Sequence, residues 1–183
     1  VPGSWNTQKP ELTYFEGNIW YRKTFDKKDL SKNKRYFVYV GAANYITTVS
    51  FNGKELGKHE GGFTPFSFEI TDLIKASGNF LIIGVNASRR ADYIPSEITD
   101  WFNHGGITRD VKLIEVPETF INNYFIPLDK TTLTSKTKRI NGRLELTGNT
   151  LPDKARIIIP ELKVNQQITI TTEGATDFTV LAN

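Results

Sequence analysis

The stretch DWFNHGGITRDV, residues 100–111, crowds an acid, two aromatics, an amide and an imidazole in front of a glycine pair, with an arginine three residues beyond it. A carboxylate at Asp100 can accept hydrogen bonds from hydroxyl groups. Trp101 offers a flat apolar face of the kind on which sugar rings stack, and Asn103 adds an amide beside it. Gly105 and Gly106 permit close backbone approach. A plainer reading stays open: Asp100 caps the loop's own amides, while Trp101 and Phe102 are core. Aromatics supply buried area so commonly that composition by itself favours that second reading.

Other chemistries find less support. The two histidines, His59 and His104, have no nucleophile motif near them and no ligand spacing to a second His. Cysteine is absent, which removes thiolate metal sites, disulfides and a cysteine nucleophile. Neither glycine pair follows a strand and opens a helix, as a phosphate-binding loop requires. Glu60, in HEGGFTPF (59–66), lacks a partner carboxylate. That stretch reads as a structural corner, with Pro65 stiffening the start of a strand and Phe63 and Phe66 anchoring it to the core.

The elements that position these residues are strands. TVSFN (48–52), FSFEIT (66–71), RLELT (143–147) and QITITT (167–172) alternate apolar and polar residues, the mark of half-buried antiparallel strands. YFVYVG (36–41) and FLIIGV (80–85) are continuous apolar runs, expected to be strands covered on both faces. Asn52-Gly53 suits a two-residue hairpin turn. The one helix-like stretch is TDLIKAS (71–77), about two turns at most. Many short strands with so little helix predict an all-β sandwich.

The chain has 183 residues, 38% apolar and 12% aromatic, enough for a buried core in one domain or two small ones. Its net charge of +3 is spread along the sequence, and the densest basic run, KKDLSKNKR (27–35), reads as a solvated hairpin connection. Nucleic-acid binding is therefore not expected, since a basic footprint should line one face. No apolar stretch approaches the roughly 18 residues of a membrane span. Near VPETF (116–120) aromatics and glycines give way to Thr, Ile, Leu and Lys, which places a boundary at Pro117–Thr119.

The segments VPGSWN (1–6), YFEGNIWYRKTF (14–25), FNGKELGKHEGGFTPFSFEIT (51–71) and DWFNHGGITRDV (100–111) together resemble glycoside hydrolase family 2, in order and spacing across residues 1–117. The resemblance implies a jelly-roll sugar-binding domain over 1–117 and, by position and strand pattern, an immunoglobulin-like sandwich over 118–183. It implies that both are incomplete, the first lacking an amino-terminal strand and the second truncated. It also implies a following (β/α)8 barrel that supplies both catalytic glutamates. Such a barrel needs about 250 residues, so this chain alone is expected to be inactive. Within the family the acid matching Asp100 contacts sugar hydroxyls. Trp101, Asn103 and His104 flank it as further substrate-binding candidates, while Gly105, Gly106 and Arg109 shape the loop, Arg109 through an ion pair or carbonyl contact.

The function expected from this resemblance is a non-catalytic amino-terminal piece of a retaining glycoside hydrolase, β-galactosidase-like first, that shapes the active-site rim. The alternatives are a β-glucuronidase- or β-mannosidase-type piece, an autonomous carbohydrate-binding module using Tyr93, Trp101 and Phe102 as a platform, or a structural sandwich. Expected partners are a β-glycoside and the barrel of the same polypeptide, with neither nucleic acid nor membrane, and with self-association through open strand edges. No metal, nucleotide or organic cofactor is implied. Composition does not choose the compartment; bacterial periplasm or cytoplasm is the working expectation.

Overall fold

The computed structural model describes residues 1–94, 96–127, 134–171 and 174–182, and these form an all-β protein built from antiparallel strands. They divide into two compact units, Val1–Glu115 and Val116–Asn183.

In the first unit, β1 (Asn18–Phe25), β7 (Asn79–Asn86), β4 (Ile46–Phe51) and β5 (Lys54–Glu60) form a sheet in the order β1-β7-β4-β5. A second sheet has the order β6-β2-β9, from β2 (Lys34–Val40), β6 (Phe66–Glu69) and β9 (Val111–Pro117). Alternation dictates their inner faces: Tyr36, Val38 and Val40 from one sheet meet Val49, Phe51, Leu81, Ile83 and Val85 from the other in a single buried cluster. The apolar run of β7 is less completely covered than expected, since its outward residues Phe80 and Ile82 are only half-buried. β2 alternates buried and half-buried residues in the same way.

The Asn52-Gly53 turn joins β4 to β5 with both residues at positive φ, 49° and 87°, as a tight hairpin requires. Two local expectations fail. Residues 26–33 are no hairpin, because β1 and β2 lie in different sheets and the basic run crosses between them. Residues 71–77 form turns rather than helix. Side-chain amides take the backbone groups a helix would use: Asn52 Nδ2 donates to the Leu73 carbonyl, and Asn79 bonds both the N–H and the carbonyl of Lys75.

In the second unit, β10 (Phe120–Phe125), β11 (Lys138–Thr147) and β14 (Ala175–Ala182) form one sheet, and β12 (Lys154–Ile159) pairs with β13 (Val164–Thr169). Leu144, Val164, Ile170, Phe178, Val180 and Ala182 fill its core. The strand expected over 167–172 runs to Thr169 within β13, and Thr172 lies outside the described residues.

Candidate functional site

A two-stranded ladder fixes the site. β3 (Ala43–Asn44) pairs with β8 (Gly106–Ile107), placing Asn44 opposite Gly106. The segment between β7 and β8 carries the whole Asp100 region, and its base is bound from several directions. Asn103 is only 7% exposed. Its Nδ2 donates to the Ala87 carbonyl at 2.6 Å, and its Oδ1 accepts from Asn44 Nδ2 at 2.9 Å. Asn44 also donates to the His104 carbonyl at 2.9 Å. Gly105 N–H donates to Asn6 Oδ1 at 2.8 Å, and the Asn6 amide nitrogen lies within hydrogen-bond distance of the Leu12, Thr13 and Phe15 carbonyls. The Trp5 backbone N–H donates to the Gly105 carbonyl.

Both glycines are required. A Cβ on Gly105 would sit 2.2 Å from the Trp5 indole, and Gly106 has φ +122° with the Gly3 carbonyl and the Tyr21 hydroxyl close by. Burial of Tyr21 raises its phenol above the usual value, an effect partly offset by its hydrogen bond with the Ile107 backbone. The opposite end of the segment is tied by Arg89. Its Nε meets Glu16 Oε1 at 2.8 Å, its N–H donates to Glu16 Oε2, and its Nη1 donates to the Thr99 carbonyl.

The tip, by contrast, is free. Asp100 is exposed, with no hydrogen-bond partner among the described residues, so its carboxylate does not cap the loop's own amides. Trp101 is 72% exposed. Phe102 is also exposed and tilts against Tyr14 at 6.0 Å and His104 at 4.7 Å between ring centroids. The tip separates two clefts. One, of about 440 Å³, is lined by Asp100, Tyr14, Glu16, Arg89 and Asn6 with Trp101, Phe102 and Asn103. The other, of about 350 Å³, is lined by Phe63, Gly62, His104 and Arg109 on the far side of Trp101.

The residues singled out in the sequence thus have unequal roles. Asp100, Trp101 and His104 reach open clefts. Asn103 lines both clefts but spends both ends of its amide inside the protein, so it positions the loop. Arg109 donates from Nη1 to the Phe63 carbonyl at 3.0 Å, the carbonyl contact rather than an ion pair. Tyr93 is no platform residue: it is buried, stacked on Tyr45 at 4.3 Å with the Arg90 guanidinium over it. Phe63 does not anchor its corner to the core. It is 67% exposed beside Trp101, while Phe66 packs inward and stacks on His59 at 4.2 Å. Sequence reasoning missed Phe63, Tyr14 and the Glu16–Arg89 pair. For Phe63 the signal was its place right after a glycine pair, where the chain leaves the strand it would otherwise share with the core.

The all-β sandwich fold is shared with several glycosidases of known structure. The Bifidobacterium dentium β-glucuronidase, solved with coumarin-3-O-glucuronide, superimposes with a TM-score of 0.83 at 21% identity, covering 100% of this chain and 36% of that one. A Bacteroides uniformis β-glucuronidase gives 0.74 at 27% identity, covering 100% and 24%. The sequence model for the sugar binding domain of the glycosyl hydrolases family 2 matches residues 1–117, and the chain belongs to that family. A β-glucuronidase of Bacteroides fragilis is 35% identical over 133 residues, 70% of this chain and 18% of its own length. A β-galactosidase of Clostridium acetobutylicum is 36% identical over 131 residues, 70% of this chain and 14% of its own length. The chain thus spans less than a fifth of the length of these curated relatives.

Proposed function

We propose that this chain forms the sugar-facing rim of a family 2 β-glycosidase, with Asp100 accepting hydrogen bonds from hydroxyls of the bound glycoside and Trp101 covering an apolar face of the substrate. One observation carries the reading: Asp100 is an exposed carboxylate without an internal partner among the described residues, on a loop whose base is immobilised by Asn103, Arg89 and Gly105. A group held this way needs little further ordering when it meets a ligand.

Hydrolysis requires two free carboxyl groups, about 5–5.5 Å apart in a retaining enzyme. The cleft beside Asp100 contains a second carboxylate, Glu16, but both of its oxygens are occupied by Arg89. Glu16 is therefore a poor nucleophile or acid, and catalytic carboxylates are assigned to the rest of the enzyme. The same pair bears on the substrate. Arg89, the one cation among the described residues lining this cleft, is neutralised by Glu16, which supports a neutral sugar such as a β-galactoside over a glucuronide on this side of the site.

Asp100→Ala in the intact enzyme is expected to lower kcat/KM by about 10- to 150-fold, matching ~1.5–3 kcal/mol for a hydrogen bond to a charged group. Unchanged kinetics would remove the assignment. Titrating tryptophan fluorescence of the chain alone with galactose, glucuronate and mannose separates a rim from an autonomous module. Micromolar affinity would favour the module, and no response up to tens of millimolar favours the rim.

A further inference from the structure

The sheet β1-β7-β4-β5 turns one face to the core, and its other face carries a feature that the Asp100 loop does not use. Trp20 pairs across the strands with Gly84, and a Cβ on Gly84 would lie 2.4, 2.6 and 2.7 Å from three atoms of the indole. Distances so similar place the flat of the ring over the glycine. Covering a strand glycine with an aromatic is a known way to firm up a sheet, and Phe178 over Gly142 does so in the second unit. Phe178, however, is buried, whereas Trp20 is 64% exposed with its second face to solvent.

Register defines what surrounds it. Thr48 lies beyond Gly84 on β4, and Lys58 beyond Thr48 on β5, so the row Trp20-Gly84-Thr48-Lys58 crosses the sheet over roughly 14 Å at ordinary strand spacing. The neighbouring rows on this face bring Arg22 and Glu55 on one side and Glu60 on the other. Two cations and two carboxylates balance, so the face has no net sign with which to select a charged polymer. Ile82 and Ile46, the apolar members of those rows, are half-buried, which leaves Trp20 as the one exposed aromatic plane amid mixed donors and acceptors. A protein partner would demand a wider apolar centre. Hydroxyl groups both donate and accept, and a pyranose adds an apolar face to set against the indole.

We infer that this outer sheet face is a second carbohydrate site, distinct from the Asp100 cleft, that binds an uncharged glycan chain with Trp20 as its stacking platform. The test is affinity electrophoresis of the full chain through gels containing hydroxyethyl cellulose, galactan, xyloglucan or polygalacturonate. At least one neutral glycan is expected to retard the protein. Trp20→Ala should weaken that binding at least tenfold, while Asp100→Ala and Trp101→Ala leave it unchanged. If Trp20→Ala does not fold, Trp20→Phe and Lys58→Ala take its place, each expected to weaken binding two- to fivefold. The inference is overturned by no retardation in any neutral gel, by retardation only in polygalacturonate, or by retardation these Trp20 and Lys58 variants do not alter. Binding lost in the Asp100 and Trp101 variants but kept in Trp20→Ala also overturns it, and would support the rim reading instead.

Discussion

Two glycine pairs with the same signature do different work. Gly61-Gly62 and Gly105-Gly106 each contain a residue at strongly positive φ, +117° at Gly61 and +122° at Gly106. Each also leaves room for a side chain from far along the sequence: Gly62 for Asn44, Gly105 for Trp5. After the first pair the chain presents Phe63 to solvent; after the second it returns Ile107 to the core. The corners are not independent, because Asn44 packs on Gly62 while donating to Asn103, and Arg109 bonds the Phe63 carbonyl. A glycine pair therefore marks where another part of the molecule comes close, and that neighbour decides where the next side chain points.

The largest expected effect is Gly105→Ala. Its Cβ would overlap the buried Trp5 ring, which has nowhere to move, and a loss of about 3 kcal/mol is expected in urea unfolding. A cost below about 0.5 kcal/mol would break the claim that close approach sets this corner. Asn103→Ala should cost about 2 kcal/mol by leaving Asn44 and the Ala87 carbonyl without their partner. Gly62→Ala is expected to cost less, about 1–2 kcal/mol, because it presses on the Asn44 amide rather than on a fixed ring. It should nonetheless shift Trp101 fluorescence, and an unchanged spectrum would uncouple the two corners. Arg109→Ala removes one exposed hydrogen bond and should cost about 0.5–1 kcal/mol.

The smallest effect belongs to a region neither corner touches. Glu69 is held below the usual carboxylate range, first by the Arg35 hydrogen bond and then by Thr71, against a partial desolvation. A depressed folded pKa means this contribution is present above the unfolded value and fades as the pH falls through the folded one. Glu69→Gln should thus cost at most a few tenths of a kcal/mol near neutrality, and the difference from the parent should vanish in acid. A gap that persisted in acid strong enough to protonate Glu69 in the folded protein as well would contradict the Arg35 cause.

Strand alternation made the sandwich legible, because a residue such as Val49 or Phe51 has to face inward whatever its distant neighbours are. The Asn52-Gly53 turn was equally local. The crossing at 26–33 was not, since nothing in a polar linker says whether the next strand joins the same sheet. Residues 71–77 looked helical until Asn52 and Asn79, side chains outside that stretch, claimed its backbone. The same limit governed the site. Asp100 and Trp101 were visible as residue types. Phe63 and Tyr93 were misread because their exposure depends on Gly62 meeting Asn44 and on Tyr45 meeting Tyr93.

Asn6 closes a circuit between the first residues of the unit and its last loop, since one side chain serves both the 12–15 carbonyls and the Gly105 amide. The Gly105 proton is thereby shut away from solvent for as long as the opening segment stays docked. Its deuterium uptake therefore reads out the fraying of a stretch 99 positions away. Opening at one end of this unit would be timed by an amide near the other.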